Sequence, residues 1–377
     1  MPLNEEASEI RVLTLLPGAF SSEIRFCLDI THLTKDYVPE FEAVSYAWGS
    51  IQNPVNVFIG RSGRKTLAVT QNLAEALPYF RYEDKPRVLW IDAICVDQGN
   101  PEERGHQVQR MADIYSKAAK VLVWLGPESD NSVLAINCLD YVSSKIKVDW
   151  NKSSITATAN EIHWADRNVP PFLNDAKLLA ITHLLHRPWF ERLWIRQEVH
   201  LASADIEIVC GNQKILWEAI RTAVMCLYLK PTPWFSQLEE YVTRIDMVYK
   251  LCGGKNSYNI VNLIDETKSC NCSDPRDKIY ALLSLLPRAQ GIGIKPDYTI
   301  NVYEAYQQAT LSLIKSTQVL EVLSTVEMHE HLEGVPSWVP DVSIFMLYFI
   351  LAPNQWCHLF AINLPQIYRY FSRSEFC

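Results

Sequence analysis

The sequence predicts an α/β protein: a parallel sheet flanked by helices, with hairpin insertions and a mostly helical C-terminal region. Three observations carry that expectation. Val88-Leu-Trp-Ile-Asp-Ala-Ile-Cys-Val96 and Val121-Leu-Val-Trp-Leu125 are almost continuous apolar runs, as expected of strands covered on both faces. Between them Val108, Met111, Ala112, Tyr115 and Ala119 recur at helical spacing. From residue 41 to 125 strands and helices therefore alternate, the pattern of right-handed βαβ crossovers.

Composition agrees with a globular chain. At 377 residues, 48% hydrophobic and 21% charged, it is long enough for a large core without disulfide or metal staples. A net charge of -8 argues against a general nucleic-acid or anionic-membrane binder, since both need a basic surface. Eleven Trp and 17 Tyr against 13 Gly make long low-complexity segments unexpected. The start, MPLNEEASEI, lacks the basic residues and apolar stretch of a secretory signal, which points to a reducing, cytoplasmic setting and free thiols.

In chain order, residues 10–30 read as two strands around Pro17-Gly18, and Phe41–Tyr46 as a strand that stops at Trp48-Gly49. Residues 55–59 and 65–69 flank Gly60-Arg-Ser-Gly63 as a hairpin, and Thr70 is placed to cap a helix carrying Leu73, Ala74, Leu77 and Phe80. Residues 88–96 read as one buried strand. The polar stretch 145–170 reads as a surface loop or short helix. Two helices come next, one with Leu178, Leu179, Ile181, Leu184 and Leu185, the other from Pro188 to Leu201. Residues 206–210 and 214–216 form a hairpin around Gly211-Asn-Gln213. A helix capped by Asp274 with Pro275 at its first position runs to Leu286, and another spans 302–314. Ile344–Ala352 is too short an apolar run to span a bilayer.

No phosphate loop, dinucleotide fingerprint, nucleophile elbow or metalloprotease motif is present. Cys270-x-Cys272 lacks the second knuckle of a zinc site, so no metal and no cofactor are expected. The candidates are polar residues in apolar settings. Asp92 inside a buried run is paired, protonated, or placed at a strand's carboxyl end where a cleft opens, and Asp97 and Gln98 share that edge. Capping a neighbouring helix or holding an Arg serves equally well. Glu198 falls on the apolar face of its helix, where burial raises the pKa of a carboxylate toward the range of general acid–base work or of stabilising an oxocarbenium-like sugar. An ion pair with Arg187, Arg192 or Arg196 is its structural alternative. Ser45, Tyr46, Trp48 and Gly49 fall on the same ligand edge. His106, His200, His329 and His331 read as solvated or hydrogen-bonded side chains.

Phe41-Glu-Ala-Val-Ser-Tyr-Ala-Trp-Gly-Ser50, residues 88–126 and Arg187-Pro-Trp-Phe-Glu-Arg-Leu-Trp-Ile-Arg-Gln-Glu-Val-His-Leu-Ala202 together resemble the HET domain of fungal heterokaryon incompatibility proteins. Residues 274–286, 295–300 and 335–341 resemble segments that often come after it. The resemblance implies a role in non-self recognition and programmed cell death through protein partners, including self-association and an incompatibility partner. It divides the chain into an N-terminal β extension (1–39), the HET domain (40–202), a mostly helical region packed on it (203–343) and a divergent, truncated tail (344–377), which departs from the family where Val342 follows Val-Pro-Asp. HET domains have been likened to flavodoxin-like TIR domains, some of which cleave NAD. That likeness implies a flavodoxin- or TIR-like sheet and, as an alternative function, NAD glycohydrolysis with Glu198 as the catalytic carboxylate and Tyr46, Trp48 and Asp92 around the substrate.

Overall fold

The structure, a computed structural model, describes residues 2–61, 65–158, 161–253, 260–286, 293–325, 336 and 338–340. The tail 344–377, His329, His331 and the Ser62-Gly63 hairpin tip lie outside the described residues.

A nine-stranded mixed sheet organises the chain. Its parallel centre comprises β3 (Glu42–Tyr46), β6 (Arg87–Trp90), β7 (Lys120–Trp124) and β10 (Ile206–Cys210), in the spatial order β10-β7-β3-β6. Counted along the chain this is 2-1-3-4, the order in which a flavodoxin-like doubly wound sheet begins. In β3 and β7 every residue but the first is buried, because helices cover both faces.

Further strands extend this centre on both sides through both antiparallel and parallel pairings, so the sheet is mixed rather than parallel throughout. β1 (Glu9–Leu15) pairs with β6 and with β2 (Arg25–His32). The hairpin of β4 (Val55–Ile59) and β5 (Lys65–Val69) joins through β2, and β11 (Gln213–Leu216) closes the other edge.

The helices begin where cap chemistry favours it. Thr70 caps α1 (Gln71–Phe80) by accepting from the Leu73 N–H. The run expected as a single strand from 88 to 96 divides: β6 ends at Trp90 and α2 (Asp92–Cys95) is one helical turn, closed by Val96 N–H to the Asp92 carbonyl. Continuous apolar sequence cannot separate a buried strand from a buried turn. Asn100 and Pro101 then start α3 (Pro101–Lys117), with Glu102 and Glu103 in its first turn and Lys117 in its last, matching the helix dipole.

After β7 come α4 (Ser132–Ser144), α5 (Asp175–Leu185), α6 (Ile195–His200), α7 (Trp217–Leu229) and α8 (Leu238–Cys252); α4, α5, α7 and α8 pack together. The stretch expected as a loop over 145–170 contains a small hairpin, β8 (Ile146–Asp149) with β9 (Ser154–Ala157), and a 3-10 turn at Ile162–Trp164. Lys230 anchors the segment from His163 to Val169, its Nζ donating to the carbonyls of His163, Asp166 and Val169 at 3.1, 2.6 and 2.8 Å. The helix expected from Pro188 to Leu201 is likewise broken, into a 3-10 turn (Pro188–Glu191) and α6. Between them Arg192 forms a parallel bridge with Asn271, whose carbonyl accepts from Leu193 N–H at 2.9 Å.

α9 (Ile260–Thr267), α10 (Asp277–Tyr280) and α11 (Val302–Thr317) build a second hydrophobic core, which includes Leu193 from the first unit. α10 is a single turn rather than a helix from 274 to 286: Asp274 accepts from the Arg276 N–H and side chain ahead of it, and a separate 3-10 turn at Leu283–Leu285 follows it. No helix among the described residues is long and apolar enough to cross a membrane.

Candidate functional site

A cavity of about 440 Å³ opens at the carboxyl ends of β3 and β6. α3 forms one wall, and the 271–274 segment with Asp277 and Tyr298 forms the facing wall, so the cleft lies between the two hydrophobic cores. Open α/β sheets take their ligands outside the carboxyl ends of the strands, which is where this cavity is.

The sheet side carries four of the residues singled out from sequence, Trp48, Gly49, Asp92 and Gln98. Trp48 and Asp92 both line the cavity, and the indole Nε1 donates to Asp92 Oδ2 at 2.7 Å. Asp92 Oδ1 accepts from Ala93 N–H at 2.8 Å, and Gln98 Nε2 donates to the Asp92 carbonyl at 3.1 Å. Burial pushes the Asp92 carboxyl above its ordinary value, against the opposing charge of Arg192. Asp92 is thus at a strand's carboxyl end and not inside the strand.

Glu198 and Tyr46 are elsewhere. Glu198 is 1% exposed and does not line the cavity. It accepts from Ser45 Oγ and from Arg192 Nη1, the latter 3.4 Å from each carboxylate oxygen. Ser45 in turn accepts from Trp189 Nε1 at 2.6 Å. Burial raises the Glu198 pKa while Arg192 and Ser45 oppose the shift. Of the three candidate arginines, Arg192 is the partner, and it does line the cavity. Tyr46 is buried beside Asp92, and its hydroxyl makes no hydrogen bond of ordinary geometry.

The opposite wall contains residues not singled out as candidates from sequence. Arg104 of α3 reaches Asp274 at 3.2 Å and Asp277 at 3.5 Å, with its guanidinium 3.7 Å from the centre of the Tyr298 ring. Asp277 also accepts from Tyr298 Oη at 2.6 Å and Trp194 Nε1 at 3.1 Å. Burial lifts its carboxyl to about 6 despite these donors. No periodicity connects residues 104, 194, 277 and 298; the only sequence signal is that they fall within or next to the family-like blocks.

Cysteine and histidine supply no reactive group here. Cys272 lines the cavity, but burial pushes its thiol up to about 11, away from the thiolate needed for attack or metal binding. His106 pairs with Glu5, and burial lowers His200 to about 4 between the carbonyls of Arg196 and Gly253. Among the described residues no cluster of His, Cys, Asp or Glu is arranged to hold a metal ion.

Fold and cleft together define a doubly wound α/β protein whose site opens at the carboxyl ends of its parallel strands. The chain matches the family model described as Heterokaryon incompatibility protein (HET) over residues 41–198. It is similar to "Heterokaryon incompatibility protein 6, OR allele" of Neurospora crassa, at 28% identity over 410 aligned residues, 90% of this chain. The chain spans 58% of the length of that relative. No solved structure matches it.

Proposed function

We propose that this chain acts in non-self recognition and programmed cell death, working in the cytoplasm through contacts with an incompatibility partner and with copies of itself. The likeness to the Neurospora protein over 90% of the chain carries this reading. The placement of Glu198 favours contacts over catalysis. A glycosidic carboxylate must meet the sugar, whereas Glu198 is covered by Ser45 and Arg192.

Expression in fungal strains that differ at incompatibility loci tests the proposal. Fused cells are expected to lose viability only in particular strain pairings; uniform survival across pairings, or death regardless of partner, overturns it. The enzymatic alternative takes NAD as substrate, with Glu198 as the catalytic carboxylate and Tyr46, Trp48 and Asp92 around the nicotinamide ribose. Nicotinamide release by the purified chain, abolished in Glu198→Gln, would restore that alternative.

A further inference from the structure

We propose that the cleft at Trp48, Asp92 and Trp194 binds a small organic cation carrying a quaternary ammonium or an N-alkylated ring. This inference goes beyond the contact reading and does not depend on it.

Three features of the cavity point the same way. The first is the wall material. Trp48, Trp90, Trp194 and Tyr298 all line it, and aromatic rings attract a desolvated cation through their quadrupoles. Trp48 and Trp194 each donate their indole N–H to a carboxylate, Asp92 and Asp277 respectively. Their hydrogen-bonding capacity is therefore used, and the ring is what each has left to offer a ligand.

The second is charge. Arg104 and Arg192 line the cavity, yet neither is available to an anion. Arg104, together with Arg276, is matched by Asp274 and Asp277. Arg192 is shared between Glu198, in direct contact, and Asp92, whose charge it opposes. The sheet side of the cleft is lined by the Asp92 carboxyl, and the Arg192 guanidinium beside it is already held by the buried Glu198. An anionic ligand would meet the Asp92 carboxyl with both arginines already engaged, and a cation would pair with it.

The third is that the cleft already holds one cation in this manner. The Arg104 guanidinium sits over the Tyr298 ring at 3.7 Å, bracketed by Asp274 and Asp277. The Trp48–Asp92 side repeats the combination of ring and carboxylate, and among the described residues no guanidinium is stacked on its indole. At about 440 Å³ the cavity falls in the size range of small-molecule sites.

Calorimetric titration of the full chain with choline, with N-methylpyridinium and with 3,3-dimethylbutan-1-ol, the neutral isostere of choline, tests the site. The cations are expected to bind saturably and the isostere about tenfold more weakly or worse. Asp92→Asn keeps an acceptor for Trp48 and leaves Arg192 its contact with Glu198, so the fold should persist while cation affinity falls about tenfold. Melting temperatures measured in parallel identify any variant that has lost its fold, in which case the isostere comparison on the unaltered chain decides. Equal affinity for choline and its isostere, no saturable binding of either cation, or wild-type affinity in a folded Asp92→Asn variant overturns the proposal.

Discussion

Glu198 shows how much one position reveals by itself. Its place on an apolar helical face is legible from its spacing to Trp194 and Leu201, and it is indeed buried. Its partner is not legible. Arg192 lies six positions away, a separation that is not a side-chain neighbour on a continuous helix. The two meet because the chain leaves helical geometry at Arg192 to bridge Asn271, a long-range pairing no local pattern encodes. The ion pair makes a thermal forecast. Glu198→Gln removes one partner of a buried pair and leaves Arg192 under-compensated, and the cost should be about 3 kcal/mol, read as a lower melting temperature or denaturant midpoint. An unaltered midpoint would deny Glu198 this structural role. At Asp92 the expected strand is too long, while its alternative place at a strand's carboxyl end is the one seen: the carboxylate interrupting the apolar run marks where the next turn of helix begins.

Among elements, the parallel strands and the capped helices are the most legible, since buried β3 and β7 and the caps of α1 and α3 each leave a local signature. Local pattern misses the break imposed from outside at Arg192. α3 illustrates a constraint of the same kind. Gly105 would ordinarily weaken a helix interior by about 1 kcal/mol relative to Ala. Here the Pro296 carbonyl oxygen would lie 2.8 Å from an added Cβ, so the glycine permits α3 to approach that segment closely. Gly105→Ala should therefore destabilise by a net of about 1–2 kcal/mol, overpacking outweighing the gain in helix propensity. A melting temperature equal to or above wild type would contradict this. Arg104 and Gln107, on the same helix, line the cleft, so the approach of backbone to backbone also sets the cleft's width.

For the whole molecule, two hydrophobic cores meet at a polar junction centred on Asp277. Its carboxyl, lifted by burial to about 6, holds its proton more tightly in the folded chain than in the unfolded one. The associated stability is present below the unfolded carboxylate range and is lost as pH rises through about 6. His200, lowered to about 4, acts in the opposite sense, giving stability that is lost as pH falls. The comparison with Asp277→Asn separates them: the difference in unfolding free energy between wild type and variant should shift against wild type by about 2–3 kcal/mol from pH 4 to pH 7. A constant difference across that range would refute the assignment. The parallel sheet and the later helix at 302–314 are legible from sequence, but the junction between the cores is not, because its members come from distant blocks. One consequence lies in the Arg192–Asn271 bridge. The family match stops at 198, while Leu193 is packed in the helical unit's core and β6 is flanked by β1 from outside the match. The stretch that the family model matches and the unit that packs together therefore have different borders, and a fragment cut at the match would leave strand edges unpaired and an apolar anchor without its socket.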